Sequence, residues 1–164
     1  LGKAMLIAAW VVGLAILVLF FQRLVEDQTN PNRDMELTRD AAGRAQVVLM
    51  RNRSGHYVAS GRIDGGPVVF LVDTGATDVA LPLDLARRLG LSLGMPRVSR
   101  TANGDVTSWP TQLESVDLGG LTARGVRASV LPNMPGEEVL LGMSYLKRFE
   151  LIQREGALTI REAR

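Results

Sequence analysis

Cysteine is absent from the 164 residues, and histidine occurs only once, as His56. The lack of cysteine excludes disulfides, thiolate metal sites and cysteine nucleophiles. A single histidine cannot build a histidine-rich metal site, and the chain has no Gly-x-Ser-x-Gly motif of a serine hydrolase. An excess of one charge is also missing, because the formal net charge is only +2. The sequence therefore shows no basic nucleic-acid-binding stripe, and we expect no metal or other cofactor.

A long apolar run lies near the start of the chain. Residues 4–21 are 18 consecutive apolar residues, and Gln22 and Arg23 follow them. As a helix this run would be about 27 Å long, close to the hydrocarbon thickness of a bilayer. A cleaved signal peptide is the alternative, but it normally has a shorter apolar region that ends in a small-residue cleavage site. We therefore predict a retained single-pass transmembrane helix.

The rest of the chain divides into a polar segment and a region of short strands. Residues 22–45 are polar and contain Asn30-Pro31-Asn32, which is typical of turns and loops. We interpret them as a linker, acting either as a passive tether or as a self-cleavage site. In residues 46–164, short apolar or alternating runs are separated by turn residues, which predicts an all-β domain. One short helix is predicted within it, with Pro82 in its first turn and Gly90 at its end.

A buried strand that runs directly into an acidic residue is the most informative local feature. Residues 68–72 form a continuous apolar run, and Asp73, Thr74 and Gly75 follow at once. Such a run is typical of a strand buried on both faces. An unpaired buried carboxylate is costly, so this placement favours a carboxylate that takes part in chemistry. Gly75 would allow a sharp turn and a close approach by another chain.

A hairpin is predicted further along the chain. Asn103-Gly104 lies between two extended runs, residues 97–102 and 105–109. Asn-Gly between extended runs is the strongest short-range signal for a two-residue hairpin turn.

The tetrad Asp73-Thr74-Gly75-Ala76 after an apolar strand resembles the active-site loop of the retropepsin-like aspartic proteases. Leu140, Leu141 and Gly142 are similar to the later hydrophobic-hydrophobic-Gly motif of that family. A short helix is expected after this second motif, at residues 144–149. The resemblance covers residues 46–161 and is strongest to membrane-anchored bacterial members. It implies an all-β fold, a closed β-barrel with a flap hairpin and one or two short helices, preceded here by the transmembrane helix.

The resemblance also implies an aspartic endopeptidase that hydrolyses peptide bonds of extended polypeptides as a homodimer. Asp73 of each copy would be catalytic, and Thr74, Gly75 and Ala76 would complete the active-site loop. The predicted hairpin would be the flap over the substrate. The implied substrate-binding residues are Thr77, Asp78, Asn103, Gly104 and Trp109. The expected partners are a second copy, a polypeptide substrate and, through the N-terminal helix, the membrane.

Two positions depart from the pattern of the viral members. Thr77 stands where they commonly have aspartate, which changes how the substrate backbone would be held. Met143 stands where they have arginine, so an ion network that stabilises their dimers is not expected here. By the same resemblance, the domain is expected in the periplasm of a bacterium, anchored in the inner membrane.

Two other interpretations remain open at this point. The chain could be a non-catalytic retropepsin-like module that binds extended peptide, or only dimerises, at the membrane. Alternatively, Asp73 could be a turn residue of an ordinary β-barrel. We favour the protease, because a binding module has no physical need for a carboxylate at its symmetry axis.

Overall fold

The computed structural model describes residues 2–101 and 104–163. Within these residues the chain forms three helices and eleven strands. The helices are α1 Gly2–Thr29, α2 Leu83–Arg88 and α3 Met143–Leu146. The strands are β1 Thr38–Arg39, β2 Ala45–Met50, β3 Val58–Ile63, β4 Gly66–Val72, β5 Val79–Pro82, β6 Arg97–Thr101, β7 Gly104–Leu118, β8 Leu121–Leu131, β9 Val139–Leu141, β10 Phe149–Arg154 and β11 Ala157–Glu162.

The described strands form one small and one large sheet. The small sheet is antiparallel and has the order β1-β2-β11-β10, and the large sheet has the order β3-β4-β9-β5-β8-β7-β6. Strand β3 also pairs with β7 through two residue pairs, Arg62 with Asp117 and Ile63 with Val116. This short contact does not confirm the predicted closed barrel. The fold is mostly β, and its described strands form two sheets.

The core follows from the burial pattern of the strands. In β2, Ala45, Val47 and Leu49 are buried, whereas Val48 and Met50 are exposed, the alternation of a strand with one solvated face. All four residues of β5 are buried instead. Strand β5 lies inside the large sheet between β8 and β9, where both faces of a strand are covered.

Helix α1 is longer than the sequence pattern predicts. It runs from Gly2 to Thr29 rather than over residues 4–21. Its part Gly2–Arg23 spans 22 residues with a mean hydropathy of 2.8, and 0 % of it is buried. This part is long and apolar enough to cross a bilayer, and it fits either a membrane anchor or a signal sequence.

Part of the segment predicted as a linker packs on the β-domain. Asn30 and Asn32 are only 6 % and 5 % exposed. The Asn32 side chain accepts a hydrogen bond from the Met50 amide at 2.7 Å and donates to the carbonyls of Met50 and Val58 at 2.9 and 2.7 Å. It thereby joins the end of β2 to the start of β3. The segment therefore contributes contacts to the fold, which its polar composition did not predict.

Four charged residues form a cluster on the small sheet, Asp40, Arg44, Glu150 and Arg161. Arg44 lies 2.8 Å from Asp40 and 3.2 Å from Glu150, and Arg161 lies 3.2 and 2.8 Å from the same two carboxylates. Desolvation raises the pKa of Asp40, but hydrogen bonds from the Arg44 amide and side chain and the Ala42 amide, with the Arg44 charge, outweigh it. The pKa of Asp40 therefore lies below its ordinary value of 3.8.

This lowered pKa makes a prediction about acid stability. A carboxylate whose pKa is lower in the folded state stabilises the fold fully above about pH 4 and loses this contribution as the pH falls through the folded-state pKa. We expect the unfolding free energy of Asp40→Asn to depend less on pH than that of the wild type, between about pH 5 and pH 2. Denaturant titrations in detergent at a series of pH values measure this dependence.

The control is Glu137→Gln, which removes a 78 % exposed carboxylate paired with Arg88 at 2.9 Å. It should leave the pH dependence close to that of the wild type, because exposed ion pairs contribute little. A pH dependence that is the same in Asp40→Asn and in the wild type would contradict the prediction.

Candidate active site

Asp73 lies directly after β4, at the start of the loop that connects β4 to β5. It is half-buried, whereas Thr74 and Gly75 are exposed. One carboxylate oxygen, Oδ1, accepts a hydrogen bond from the Gly75 amide at 2.8 Å. The Asp73 amide donates to the Leu141 carbonyl at 3.2 Å. The carboxylate is thus held in one orientation by its own loop, and the loop is tied to a neighbouring strand.

Gly75 is needed here for space rather than for an unusual backbone angle. It is not among the described glycines with positive φ. A Cβ atom at this position would lie 3.1 Å from Asp73 Oδ1, tighter than an ordinary van der Waals contact. A side chain would therefore crowd the carboxylate that the Gly75 amide holds.

The second sequence motif lies beside the Asp73 loop. Strand β9 pairs in parallel with β4, with Leu140 opposite Leu71 and Leu141 opposite Val72. It also contacts β5 through the pair Ala80 and Leu140, so β9 fills the space between the two strands that flank the loop. The structure therefore brings together two motifs that are more than sixty residues apart in the chain.

The residues after β9 donate hydrogen bonds to the main chain of the Asp73 loop. The amides of Met143 and Ser144 donate to the carbonyls of Ala76 and Thr77 at 2.8 and 2.9 Å. Gly142 is buried, and a Cβ atom there would clash with the carbonyl oxygen of Asp78 and lie 2.7 Å from that of Ala76. Only glycine lets the second motif approach the loop this closely.

Ser144 is a supporting residue that the sequence interpretation missed. Its side chain is buried, donates to the Arg127 carbonyl at 2.7 Å and accepts from the Val79 amide at 3.0 Å. It links the end of the Asp73 loop to β8. A polar residue within three positions of the end of a buried apolar strand is the signal that would have indicated this role.

Two predicted substrate-binding residues lie at the end of the loop. Thr77 is exposed. The Asp78 carboxylate is 18 % exposed, and its Oδ1 lies 3.2 Å from the guanidinium of Arg127 on β8. Asp78 is therefore not a freely solvated surface residue, since an ion pair holds it against β8.

The predicted hairpin is present. Strands β6 and β7 pair antiparallel from Arg97 opposite Ser108 to Thr101 opposite Gly104. Gly104 is exposed, whereas Asn103 lies outside the described residues. Trp109 lies on β7 opposite Val130 of β8, is half-buried and packs against the core. The roles of the hairpin as a flap and of Trp109 as a wall of the cleft stay predictions.

Helices α2 and α3 occupy the positions expected from the sequence. Helix α2 follows Pro82, and Gly90 adopts a positive φ of 68° just after its end. Helix α3 covers Met143–Leu146, one residue earlier and shorter than the predicted 144–149. Tyr145 of α3 is fully buried and donates to the Leu121 carbonyl at 2.7 Å, which fixes α3 against β8.

Comparisons with known proteins agree with this geometry. Residues 59–148 match a family described as "gag-polyprotein putative aspartyl protease". The crystal structure of a retropepsin-like aspartic protease from Rickettsia conorii is similar, with 32 % sequence identity and a TM-score of 0.62, over 71 % of this chain and 90 % of that chain. The predicted retropepsin-like fold is thereby confirmed as a mostly-β fold, and the closed barrel stays a prediction.

Two curated bacterial relatives have no known activity of their own. An uncharacterized protein in the cobV 5′ region of Sinorhizobium sp is 34 % identical over 136 residues, which are 80 % of this chain and 58 % of the relative. An uncharacterized protein of Rickettsia prowazekii is 34 % identical over 109 residues, 64 % of this chain and 46 % of the relative. The chain spans about half the length of these curated relatives.

The matched region contains the Asp73 loop, the hairpin and the second motif, and it covers more than half of the chain. The structural similarity to the Rickettsia conorii protease extends over 71 % of the chain. The chain therefore belongs to the retropepsin-like aspartyl protease family.

Proposed function

We propose that this chain is an aspartic endopeptidase that cuts extended polypeptides as a homodimer and is anchored to the membrane by α1. The observation that carries the proposal is the position of Asp73. Its carboxylate lies at the end of a strand inside a sheet, in a loop held by the second motif through Leu141, Met143 and Ser144. Such a rigid mounting is what a catalytic carboxylate needs.

The chemistry requires two carboxylates, and this chain offers one Asp-Thr-Gly. At the equivalent place in the second motif it has Leu140-Leu141-Gly142, which carries no acid. A twofold-symmetric dimer would bring Asp73 of both copies to the axis. Like charges a few ångströms apart cannot both ionise, so the pair would share one proton and titrate as a unit. The ionised carboxylate would take a proton from a water molecule, and the protonated one would donate to the scissile carbonyl.

The exposed part of the Asp73 loop is accessible for contact with a second copy of the chain. Thr74 and Gly75 are both exposed in the single chain. In the dimer, the Thr74 hydroxyl would hydrogen-bond across the axis, and the Gly75 backbone would face the substrate. The substrate would lie as an extended strand between the two loops and the two hairpins, held by main-chain hydrogen bonds. Thr77, Asp78, Asn103, Gly104 and Trp109 are the residues we propose for its binding.

The proposed dimer lacks one source of stability. Met143 is half-buried and packs against the core, at the position where viral members have an arginine of an ion network. A weaker dimer makes activity depend on protein concentration. Anchoring by α1 in one bilayer would raise the effective concentration of the two copies. We place the β-domain in the periplasm, with α1 in the inner membrane, as the resemblance to membrane-anchored bacterial members suggests.

Removing the carboxylate tests the proposed activity. We expect Asp73→Asn to reduce cleavage of unfolded casein by at least about 100-fold, because the general acid–base pair is lost. Fragments are measured by mass spectrometry, from mildly acid to neutral pH and over a range of protein concentrations. Wild-type activity should rise faster than linearly with concentration.

Asp84→Asn is the matched control, since Asp84 is an 85 % exposed carboxylate on α2. It should cleave casein like the wild type. If the wild type does not cleave at concentrations where it is shown to be dimeric, the proposal is wrong and the chain is a binding module. Equal cleavage by the wild type and Asp73→Asn would indicate another active site or a contaminant.

The close approach of Gly142 to the loop makes a second prediction. We expect Gly142→Ala to lose most of its activity at temperatures where it is still folded, because the added methyl group pushes against the carbonyls of Ala76 and Asp78. Casein cleavage and thermal unfolding are measured on the same samples.

The comparison variant is Gly136→Ala, in a loop where a Cβ atom has open space but φ is +77°. This backbone strain should lower its stability by about 1 kcal/mol without moving the Asp73 loop. Full activity in Gly142→Ala would show that the second motif does not position the loop.

A further inference from the structure

The end of the membrane helix and the catalytic loop lie at the same end of one strand pair. Strands β3 and β4 are antiparallel, with Val58 opposite Leu71. The start of β3 therefore lies beside the end of β4, where Asp73 follows. The Val72 amide continues this pairing by donating to the Tyr57 carbonyl at 2.9 Å.

The turn before β3 connects this end of the sheet to α1. The Asn52 amide donates to the His56 carbonyl at 2.7 Å, and the Asn52 side chain donates to the carbonyl of Thr29, the last residue of α1, at 3.1 Å. Arg53 adds two contacts to Gln28, from its amide to the carbonyl at 3.4 Å and from its guanidinium to Oε1 at 3.1 Å. A continuous series of hydrogen bonds thus joins the helix end to the catalytic loop.

The chain after the helix is bound tightly as well. Asn30 is buried, its amide donates to the Glu26 carbonyl at 2.9 Å, and its side chain donates to Ser60 Oγ at 3.0 Å. Asn32 is buried between the ends of β2 and β3, as described above. Arg33 forms an ion pair with Glu26 at 2.9 Å. Buried, hydrogen-bonded asparagines hold the domain against the helix end, which a flexible linker would not do.

These contacts limit how far Asp73 can be from a bilayer that contains α1. Two backbone pairings of about 5 Å each and one side-chain hydrogen bond separate Asp73 from Thr29, a distance on the order of 15 to 20 Å. Thr29 is six residues beyond Arg23, the end of the candidate membrane span, and six helical residues span about 9 Å. Asp73 is then held at most on the order of 25 to 30 Å from the hydrocarbon edge, whichever way the sheet is turned.

We propose that the substrates of this site are membrane-proximal segments: extended stretches of membrane-inserted polypeptides, cut close to where they leave the bilayer. This inference rests on the proposed protease activity and on α1 being a membrane anchor. An extended chain advances about 3.3 Å per residue, so about eight residues reach from the hydrocarbon edge to the site. A cleavage sequence much further away gains nothing from being in the same membrane as the enzyme, because its effective concentration at the site falls with tether length.

The test uses the full chain reconstituted in liposomes together with tethered substrates. Each substrate is one transmembrane helix followed by the casein segment that the enzyme cuts, placed about 8, 30 or 60 residues from the helix. We expect the 8-residue substrate to be cut at least tenfold faster than the 60-residue substrate at equal membrane density. The same casein segment as a free peptide, and Asp73→Asn in the same liposomes, serve as controls.

A second variant raises the site further from the bilayer without changing any residue of the site. Inserting seven helix-forming residues after Arg23 raises the domain by about 10 Å and turns it by only about 20°. The fastest-cut substrate should then need a spacer about three residues longer, which a finer series of spacers resolves. Thermal unfolding and cleavage of the free peptide show that the inserted protein is folded and active.

The outcomes separate the substrate class from the activity itself. Two results contradict the proposal that substrates are membrane-proximal: equal cleavage rates for all spacer lengths, or a best spacer length that does not change with the insertion. Either result leaves the proposed protease function intact. If neither the tethered substrates nor the free peptide are cut faster than by Asp73→Asn, the proposed protease function fails, and this inference fails with it.

Discussion

The parallel pairing of β4 and β9 is the constraint on which the site depends. It places Leu141 beside Val72, so that the Asp73 amide reaches the Leu141 carbonyl and Gly142 follows directly beneath the loop. From there, the amides of α3 reach the loop carbonyls, and the buried Ser144 hydroxyl ties the loop to β8. A short strand with no side-chain chemistry of its own therefore fixes the geometry of the Asp73 loop, because backbone hydrogen bonds in a buried sheet leave little freedom.

The sequence predicts the parts of this fold that depend on local patterns. The apolar run before Asp73, the two extended runs around Asn103-Gly104 and the Pro82 to Gly90 helix are each visible within a few residues. The matching elements β4, β6, β7 and α2 are present in the described part of the chain. The pairing of the two motifs was accessible only through family resemblance, since parallel strands far apart in sequence leave no local signal. The predicted second run of the hairpin ends at residue 109, whereas strand β7 continues through Pro110. The strand tolerates proline because no backbone N–H is needed at this position, and the Pro110 carbonyl accepts a hydrogen bond from the Gly94 amide at 2.8 Å.

The supporting residues were missed for a different physical reason. Asn30 and Asn32 lie in a segment whose polar composition is typical of loops, and Ser144 lies at the start of a predicted short helix, yet all three are buried. A buried polar side chain is stable only because of partners supplied by other elements, such as the Met50 and Val58 groups around Asn32. Those partners are brought in by tertiary structure, so composition alone cannot distinguish such a residue from a solvated one.

The burial of Asn30 and Asn32 has a consequence for bilayers of different thickness. A single transmembrane helix usually adjusts to a thicker or thinner membrane by sliding, tilting or changing how its flanking residues reach the interface. Asn30 is hydrogen-bonded to Ser60 of the folded domain, so an α1 anchored in a bilayer would carry the domain with it when it slides or tilts. Mismatch with the lipid would therefore change the height or the orientation of the whole domain relative to the bilayer surface.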